Sequence, residues 1–175
     1  MTEVSQSNSN HALPADVRAE IDHWVKKFPE GRQRSAVIAA LREAQHHNQG
    51  FLTDELMNGI AEYLDLPAIQ VYEVAAFYSM FETKPVGRCS VSVCTNISCM
   101  LCGADEIVAH VEKKLGIKTG ESTPDGKFFL KREEECLAAC VGAPMMMVDH
   151  VYHENLTPEK VDEILDAVPD EPHGH

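Results

Sequence analysis

The chain has 175 residues, 44% of them hydrophobic, and its 15 basic and 28 acidic residues give a net charge of -13. This length suffices for one domain of ordinary size with an extension, and the charge disfavours nucleic acids and anionic membranes as partners because both present phosphate groups. No apolar run approaches the roughly 18 residues of a membrane span and no secretory signal is visible, so we expect a soluble protein in a reducing compartment.

The N-terminal part of the chain predicts a helical subdomain over residues 13–83, preceded by a disordered tail over residues 1–12. Apolar residues recur there at three- and four-residue spacing in four segments, as in amphipathic helices. Each segment begins at a proline or a capping residue. These residues are Pro14, Ser35, Thr53 and Pro67.

The fourth predicted helix ends in a stretch dense in large apolar side chains, from Phe77 to Phe81. Such a stripe is generally part of a core, and we expect it to be buried in a seam between two subdomains. The less favoured interpretation is a ligand-binding site, and a second alternative is an apolar face that binds a partner protein.

After Gly87 the pattern becomes alternating, with Cys89, Val91 and Val93 on one face of a predicted strand. A loop holding Cys94 to Cys99 follows, and then a helix over about residues 100–115, which Gly116 ends. A turn-rich segment leads from there to a second strand near residues 127–131.

The rest of the chain predicts a hairpin around Asp149 and His150 and a final helix capped by Thr157. The order of strand, helix, three strands and helix favours a mixed sheet with helices on one or both faces, as in a thioredoxin-like domain. We place this domain over residues 84–169, followed by a tail over residues 170–175. The predicted fold class is α/β (α+β), a helical subdomain followed by a thioredoxin-like domain.

The six cysteines include two short-spaced pairs, Cys94 with Cys99 and Cys136 with Cys140. Two such pairs suit a four-thiolate metal or iron–sulfur site, because each pair can chelate from one loop while the fold brings the loops together. A disulfide framework is disfavoured by the reducing compartment. Cys89, on the apolar face of its strand, is expected to be a buried structural residue.

Other assignments of the cysteines remain open. A plant-type ferredoxin spacing would use Cys94, Cys99 and Cys102 with one later cysteine; we prefer the two pairs, because that alternative leaves Cys136 or Cys140 without a role. A structural zinc site is the chemical rival, although zinc pairs mostly have shorter spacing. Cys99 and Cys102 also form the C-x-x-C of a thioredoxin-like dithiol, which leaves the other cysteines unexplained.

Three segments resemble the E-subunit family of NADH:quinone oxidoreductase, respiratory complex I. They are Val-Cys-Thr-Asn-Ile-Ser-Cys-Met-Leu from Val93, Cys-Leu-Ala-Ala-Cys-Val-Gly-Ala-Pro from Cys136, and Val-Tyr-Glu-Val-Ala-Ala-Phe-Tyr-Ser-Met-Phe from Val71. The resemblance covers about residues 15–168 and implies a thioredoxin-like [2Fe-2S] ferredoxin. It departs at Ala138, where glycine is usual, and at Ala76, where threonine is usual.

The resemblance implies that one [2Fe-2S] cluster is bound by Cys94, Cys99, Cys136 and Cys140, each pair holding one iron, with no catalytic residue. Cys89 and Cys102 match no ligand of the family. We expect backbone N–H groups of residues 95–98 and 137–139, with the hydroxyls of Thr95 and Ser98, to donate to sulfur. The acidic run at residues 133–135 would disfavour the added electron if it lay close to the cluster.

The implied function is electron transfer within an NADH dehydrogenase complex, in which a separate flavoprotein subunit binds NADH and FMN. The chain itself shows no Gly-rich dinucleotide fingerprint. The implied location is cytoplasmic, peripheral to the inner membrane through the complex, or on the matrix side in mitochondria. The alternatives are the equivalent ferredoxin subunit of an NAD-linked formate dehydrogenase or hydrogenase, a zinc-stabilised binding module, and a thioredoxin-like dithiol oxidoreductase.

Overall fold

The computed structural model describes residues 13–131 and 136–169. The chain divides into two compact units between Pro85 and Val86. The tails expected at residues 1–12 and 170–175, and the acidic run at 133–135, lie outside the described residues. Within the described ranges no helix is both long and apolar enough to cross a membrane.

The first unit consists of four helices packed around one apolar core. The helices are α1 (Ala15–Val25), α2 (Val37–His47), α3 (Asp54–Tyr63) and α4 (Ala68–Phe77). The core contains the fully buried side chains of Ile21, Leu41, Ile60 and Val71, one from each helix. Amphipathic spacing is what places one such side chain of every helix on the inner face.

The starts of these helices agree closely with the capping pattern. The Thr53 hydroxyl accepts a hydrogen bond from the N–H of Leu56 and caps α3 as predicted. Pro14 and Pro67 immediately precede α1 and α4. Ser35 lies inside a short 3₁₀ turn (Gln33–Ala36), so α2 begins one residue later than a cap at Ser35 predicts.

Burial of residues 77–81 between the two subdomains stays a prediction, but within the first unit most of this segment is not covered. Phe77 is 80% exposed and Met80 is 48% exposed, whereas Phe81 is buried. The buried face of α4 carries Val71 and Ala75. Phe77 lies two residues beyond Ala75, about 200° around the helix, and therefore projects from the opposite face.

The second unit is a five-stranded mixed sheet with three helices. In chain order its elements are β1 (Cys89–Val93), α5 (Ile97–Leu101), α6 (Ala104–Leu115), β2 (Glu121–Ser122), β3 (Phe128–Leu130), β4 (Met146–Val148), β5 (Val151–His153) and α7 (Pro158–Asp166). The sheet order is β2-β3-β1-β4-β5. Among the described strands only β1 and β3 are parallel, and the other neighbours are antiparallel. The mixed sheet is thus confirmed, with β2 as an additional strand too short to recognise from a pattern.

One face of this sheet forms a core with α6 and α7. Val91 and Met146 from the sheet pack there with Val111 of α6 and Val161 of α7, and all four side chains are fully buried. The predicted hairpin is confirmed, with Asp149 and His150 at its turn. The predicted cap Thr157 accepts a hydrogen bond from the N–H of Lys160.

The single helix predicted over residues 100–115 is two helices. The break falls at Gly103, which has a left-handed backbone with φ of 90° that glycine adopts without steric cost. The first of the two helices, α5, begins at Ile97, so Cys99 lies in a helix rather than in a loop. Gly116 ends α6 in the left-handed conformation, as predicted.

Substitution of Gly87 tests the entry into β1. A Cβ at this position would lie 2.8 Å from the backbone N of Phe129 and closer still to the carbonyl of Phe128. Because β3 backbone cannot rotate away as a side chain can, we expect Gly87→Ala to destabilise the second unit by about 1–3 kcal/mol. Hydrogen exchange of the β1 and β3 amides measures this loss. Arg88→Ala, at an exposed neighbouring position, is the control and should change exchange little.

Candidate metal centre

The first cysteine pair lies at the carboxyl end of the central strand. β1 ends at Val93, and the N–H of Cys94 still donates to the carbonyl of Met145 at 3.1 Å, which extends the β1–β4 pairing by one residue. The side chain of Asn96 then caps α5. One turn of this helix carries Cys99 back towards Cys94, and both thiols are buried.

The second pair lies in the segment before β4. The sulfurs of Cys136 and Cys140 are 3.6 Å apart, and both residues are exposed. Cys140 begins a 3₁₀ turn that ends at Gly142. The carbonyl of Gly142 accepts a hydrogen bond of 2.7 Å from the N–H of Asn155, which ties this turn to the segment before α7.

The fold brings the two pairs together. The Cys94 thiol interacts with those of Cys99 and Cys136, and Cys99 also lies within electrostatic range of Cys140. All four predicted ligands therefore belong to one cluster of thiols. Their role as ligands stays a prediction, because their proximity alone does not identify what they bind.

The other two cysteines have different surroundings. Cys89 is buried in the sheet core, and burial, together with the neighbouring Asp149, raises the pKa of its thiol. It is thus a buried residue, as expected. Cys102 is exposed at the end of α5, where its N–H donates to the carbonyl of Cys99.

Backbone N–H groups from both segments point at sulfur. Burial raises the pKa of Cys94, but hydrogen bonds from the N–H groups of Leu137 and Asn96, together with those to the thiols of Cys99 and Cys136, outweigh it, and the pKa lies below its usual value. The N–H of Ala138 likewise lowers the pKa of Cys136, although the Cys140 thiol, burial and Cys94 together outweigh this and the net shift is upward. These three donors lie in the two segments where they were expected.

A further donor was missed from the sequence. Burial and the neighbouring Cys94 raise the pKa of Cys99 to about 11, opposed by a hydrogen bond from the backbone N–H of Met145. Met145 belongs to the segment that pairs with the end of β1, far from Cys99 in sequence. No local pattern could have revealed it, since only the strand pairing places it there.

This donor set fits a centre that distributes four thiolates over two irons. Each pair is close enough for its two sulfurs to share one ion, and N–H donors lie ready to stabilise negative charge on sulfur. Among the residues the structure describes, no three His, Cys, Asp or Glu side chains are grouped around a single metal position.

The sequence matches the family described as thioredoxin-like [2Fe-2S] ferredoxin over residues 21–169. The E subunit of NADH-quinone oxidoreductase from Rickettsia bellii (strain RML369-C) is 41% identical over 168 residues, 96% of this chain and 96% of the relative. The E 2 subunit of the same oxidoreductase from Rhizobium meliloti (strain 1021) is 41% identical over 86% of this chain and 88% of its own length.

Among solved structures, the fold resembles part of an NAD+-reducing [NiFe]-hydrogenase in two states. The air-oxidized form aligns with a TM-score of 0.64 and 21% identity over 79% of this chain. The H2-reduced form aligns with a TM-score of 0.66 and 20% identity over 76% of it. This chain spans only 24% and 23% of those hydrogenase chains. At this identity the likeness concerns the fold alone.

Ala138 provides a test of the second cysteine segment. Its φ of 62° lies in the left-handed region, which disfavours a residue with a Cβ by about 1 kcal/mol. We expect Ala138→Gly to stabilise the protein by up to about 1 kcal/mol in urea unfolding followed by circular dichroism. The control is Ala139→Gly, where φ is -105° and glycine should destabilise by roughly 0.5–1 kcal/mol. Equal shifts in the two variants would contradict this strain.

Proposed function

The chain belongs to the thioredoxin-like [2Fe-2S] ferredoxin family, and we propose that it is the electron-transferring E subunit of an NADH-quinone oxidoreductase. The cluster ligands in this proposal are Cys94, Cys99, Cys136 and Cys140. The observation that carries it is the convergence of these four thiols from two segments, with backbone N–H donors directed at their sulfurs. Bound there, a [2Fe-2S] cluster supplies a one-electron acceptor and donor.

The protein's own residues contribute binding, shielding and electrostatics. Cys94 and Cys99 hold the inner side of the site, where burial excludes water. The N–H groups of Asn96, Leu137 and Met145 stabilise charge on these two sulfurs, which helps the site to carry a negatively charged centre. Cys136 and Cys140 lie on the exposed side. A partner that exchanges electrons can approach the cluster closely from this side.

The host complex is assigned from the relatives. Proteins more than 40% identical over most of this chain are subunits of NADH-quinone oxidoreductase. The hydrogenase likeness, at about half that identity, supports only a shared fold. In this assignment NADH dehydrogenase activity belongs to the complex, while this chain only passes electrons and is peripheral to the inner membrane on the cytoplasmic side.

The partner we propose is the flavoprotein subunit of the same complex, which binds NADH and FMN. Large apolar side chains are exposed beside the cysteines. Ile97 is 69% and Leu101 77% exposed on α5, and Val141 next to Cys140 is fully exposed. Exposed apolar groups of this size beside a redox site favour a protein interface. Phe77, exposed on α4 of the first unit, offers a separate apolar contact.

The cluster is tested by anaerobic purification, iron and sulfide analysis, and EPR of the reduced protein. We expect two irons and two sulfides per chain, as a [2Fe-2S] cluster contains. Cys136→Ser should abolish most of the cluster, because serine replaces a ligand sulfur. Cys102→Ser should retain it. A colourless, zinc-loaded protein, or one that loses its cluster with Cys102→Ser but not with Cys136→Ser, would overturn the proposal.

Substitution of Val141 tests the docking of the flavoprotein subunit. We expect Val141→Ser to weaken binding to that subunit roughly tenfold, which is the effect of losing about 1.4 kcal/mol at a central apolar contact. Calorimetric titration of the two purified subunits measures the dissociation constant. Val151→Ser is the matched control, since Val151 is also exposed but lies at the turn end of β5. An equal effect of the two variants would argue against this interface.

A further inference from the structure

A glutamate side chain lies directly across the turn that carries Cys140. Gly142, the last residue of that turn, is buried. A Cβ placed on it would lie 2.5 Å from the Cβ and 2.6 Å from the Cδ of Glu154, and its closest approach would be to a carboxylate oxygen. Glu154 therefore occupies the space that a side chain at position 142 would fill.

Hydrogen bonds fix the backbone at Glu154 and at the two residues that follow it. The N–H of Asn155 donates to the carbonyl of Gly142 at 2.7 Å, and the N–H of Leu156 donates to that of Pro144 at 3.0 Å. The ammonium of Lys160 donates to the carbonyl of Glu154. Because three hydrogen bonds hold this segment, the glutamate is placed against the turn by the fold.

The charge of this carboxylate is not neutralised by its described neighbours. Lys160 contacts the backbone carbonyl of Glu154 rather than its carboxylate, and within the described part of the chain Glu154 forms no ion pair. Burial lowers the pKa of the adjacent His153, and Lys160 lowers it further, so this ring is neutral at pH 7. The carboxylate of Glu154 thus carries its negative charge beside Gly142, while the ammonium of Lys160 lies at the backbone carbonyl of the same residue.

This charge lies beside the turn that carries Cys140. Two residues of a 3₁₀ turn advance about 4 Å along its axis, so the backbone of Cys140 is about that far along the turn from Gly142. Mobile ions screen charges over about 8 Å at physiological ionic strength, and screening over a shorter separation is incomplete. An electron added at the cysteines would therefore be repelled by Glu154.

We propose that Glu154 lowers the reduction potential of the cluster held by the four cysteines, and that Gly142 is the positioning residue that admits it to the Cys140 turn. The proposal rests on the proposed function and deepens it. It concerns a one-electron reduction without bond making or breaking at Glu154, whose carboxylate acts only through its charge.

The test is an EPR-monitored redox titration of the full chain, anaerobically reconstituted with iron and sulfide. We expect Glu154→Gln to raise the midpoint potential, with a threefold to tenfold change in the equilibrium constant for reduction, about 28–59 mV for one electron. Glu154→Asp, which keeps the charge, should recover most of the lower potential. Glu163→Gln, the same change at an exposed position of α7, is the matched control and should shift the potential little.

Ionic strength separates a charge effect from a structural one. The difference in potential between the native chain and Glu154→Gln should shrink as salt is raised to about 1 M, where the screening length falls to about 3 Å. A difference independent of salt, or equal shifts for Glu154→Gln and Glu163→Gln, would overturn this inference. A native chain without a [2Fe-2S] EPR signal would instead overturn the proposed function, and the two failures are thereby distinguished.

Discussion

The pairing of β1 with β4 is the constraint on which the candidate centre depends. Their antiparallel register joins Val93 to Met146, and the hydrogen bond from Cys94 to Met145 carries it one residue further. Chain direction then requires the segment holding Cys136 and Cys140 to pass the carboxyl end of β1. A shift of one residue would turn Cys94 to the opposite face of the sheet and separate the pairs.

The centre combines a buried half with an exposed half, and each half meets a different requirement. The sulfurs of Cys94 and Cys99 are buried away from water, and burial disfavours their charged form. Hydrogen bonds from backbone N–H groups compensate for part of that cost. The other two sulfurs lie at the surface among exposed apolar side chains. Electron exchange with a partner needs this surface, and Glu154 adds a fixed charge beside it.

Local chemistry allowed much of the fold to be predicted. Thr53, Thr157 and Gly116 were identified as caps because their roles depend on neighbours within four residues. The strand Cys89–Val93 and the hairpin followed from alternation. Burial was harder to predict than secondary structure. An apolar run predicted a seam at residues 77–81, but which face of α4 is covered depends on how the helices pack.

The four paired cysteines, their spacing and the family were readable in the amino-acid order, because chelation from a loop is a local property and the motifs around it are specific. Their convergence was decided by the sheet, which also provided the Met145 donor and seated Glu154 in the gap at Gly142. These contacts join residues that are distant along the chain. Their physical basis is strand register and close packing, which no local pattern encodes.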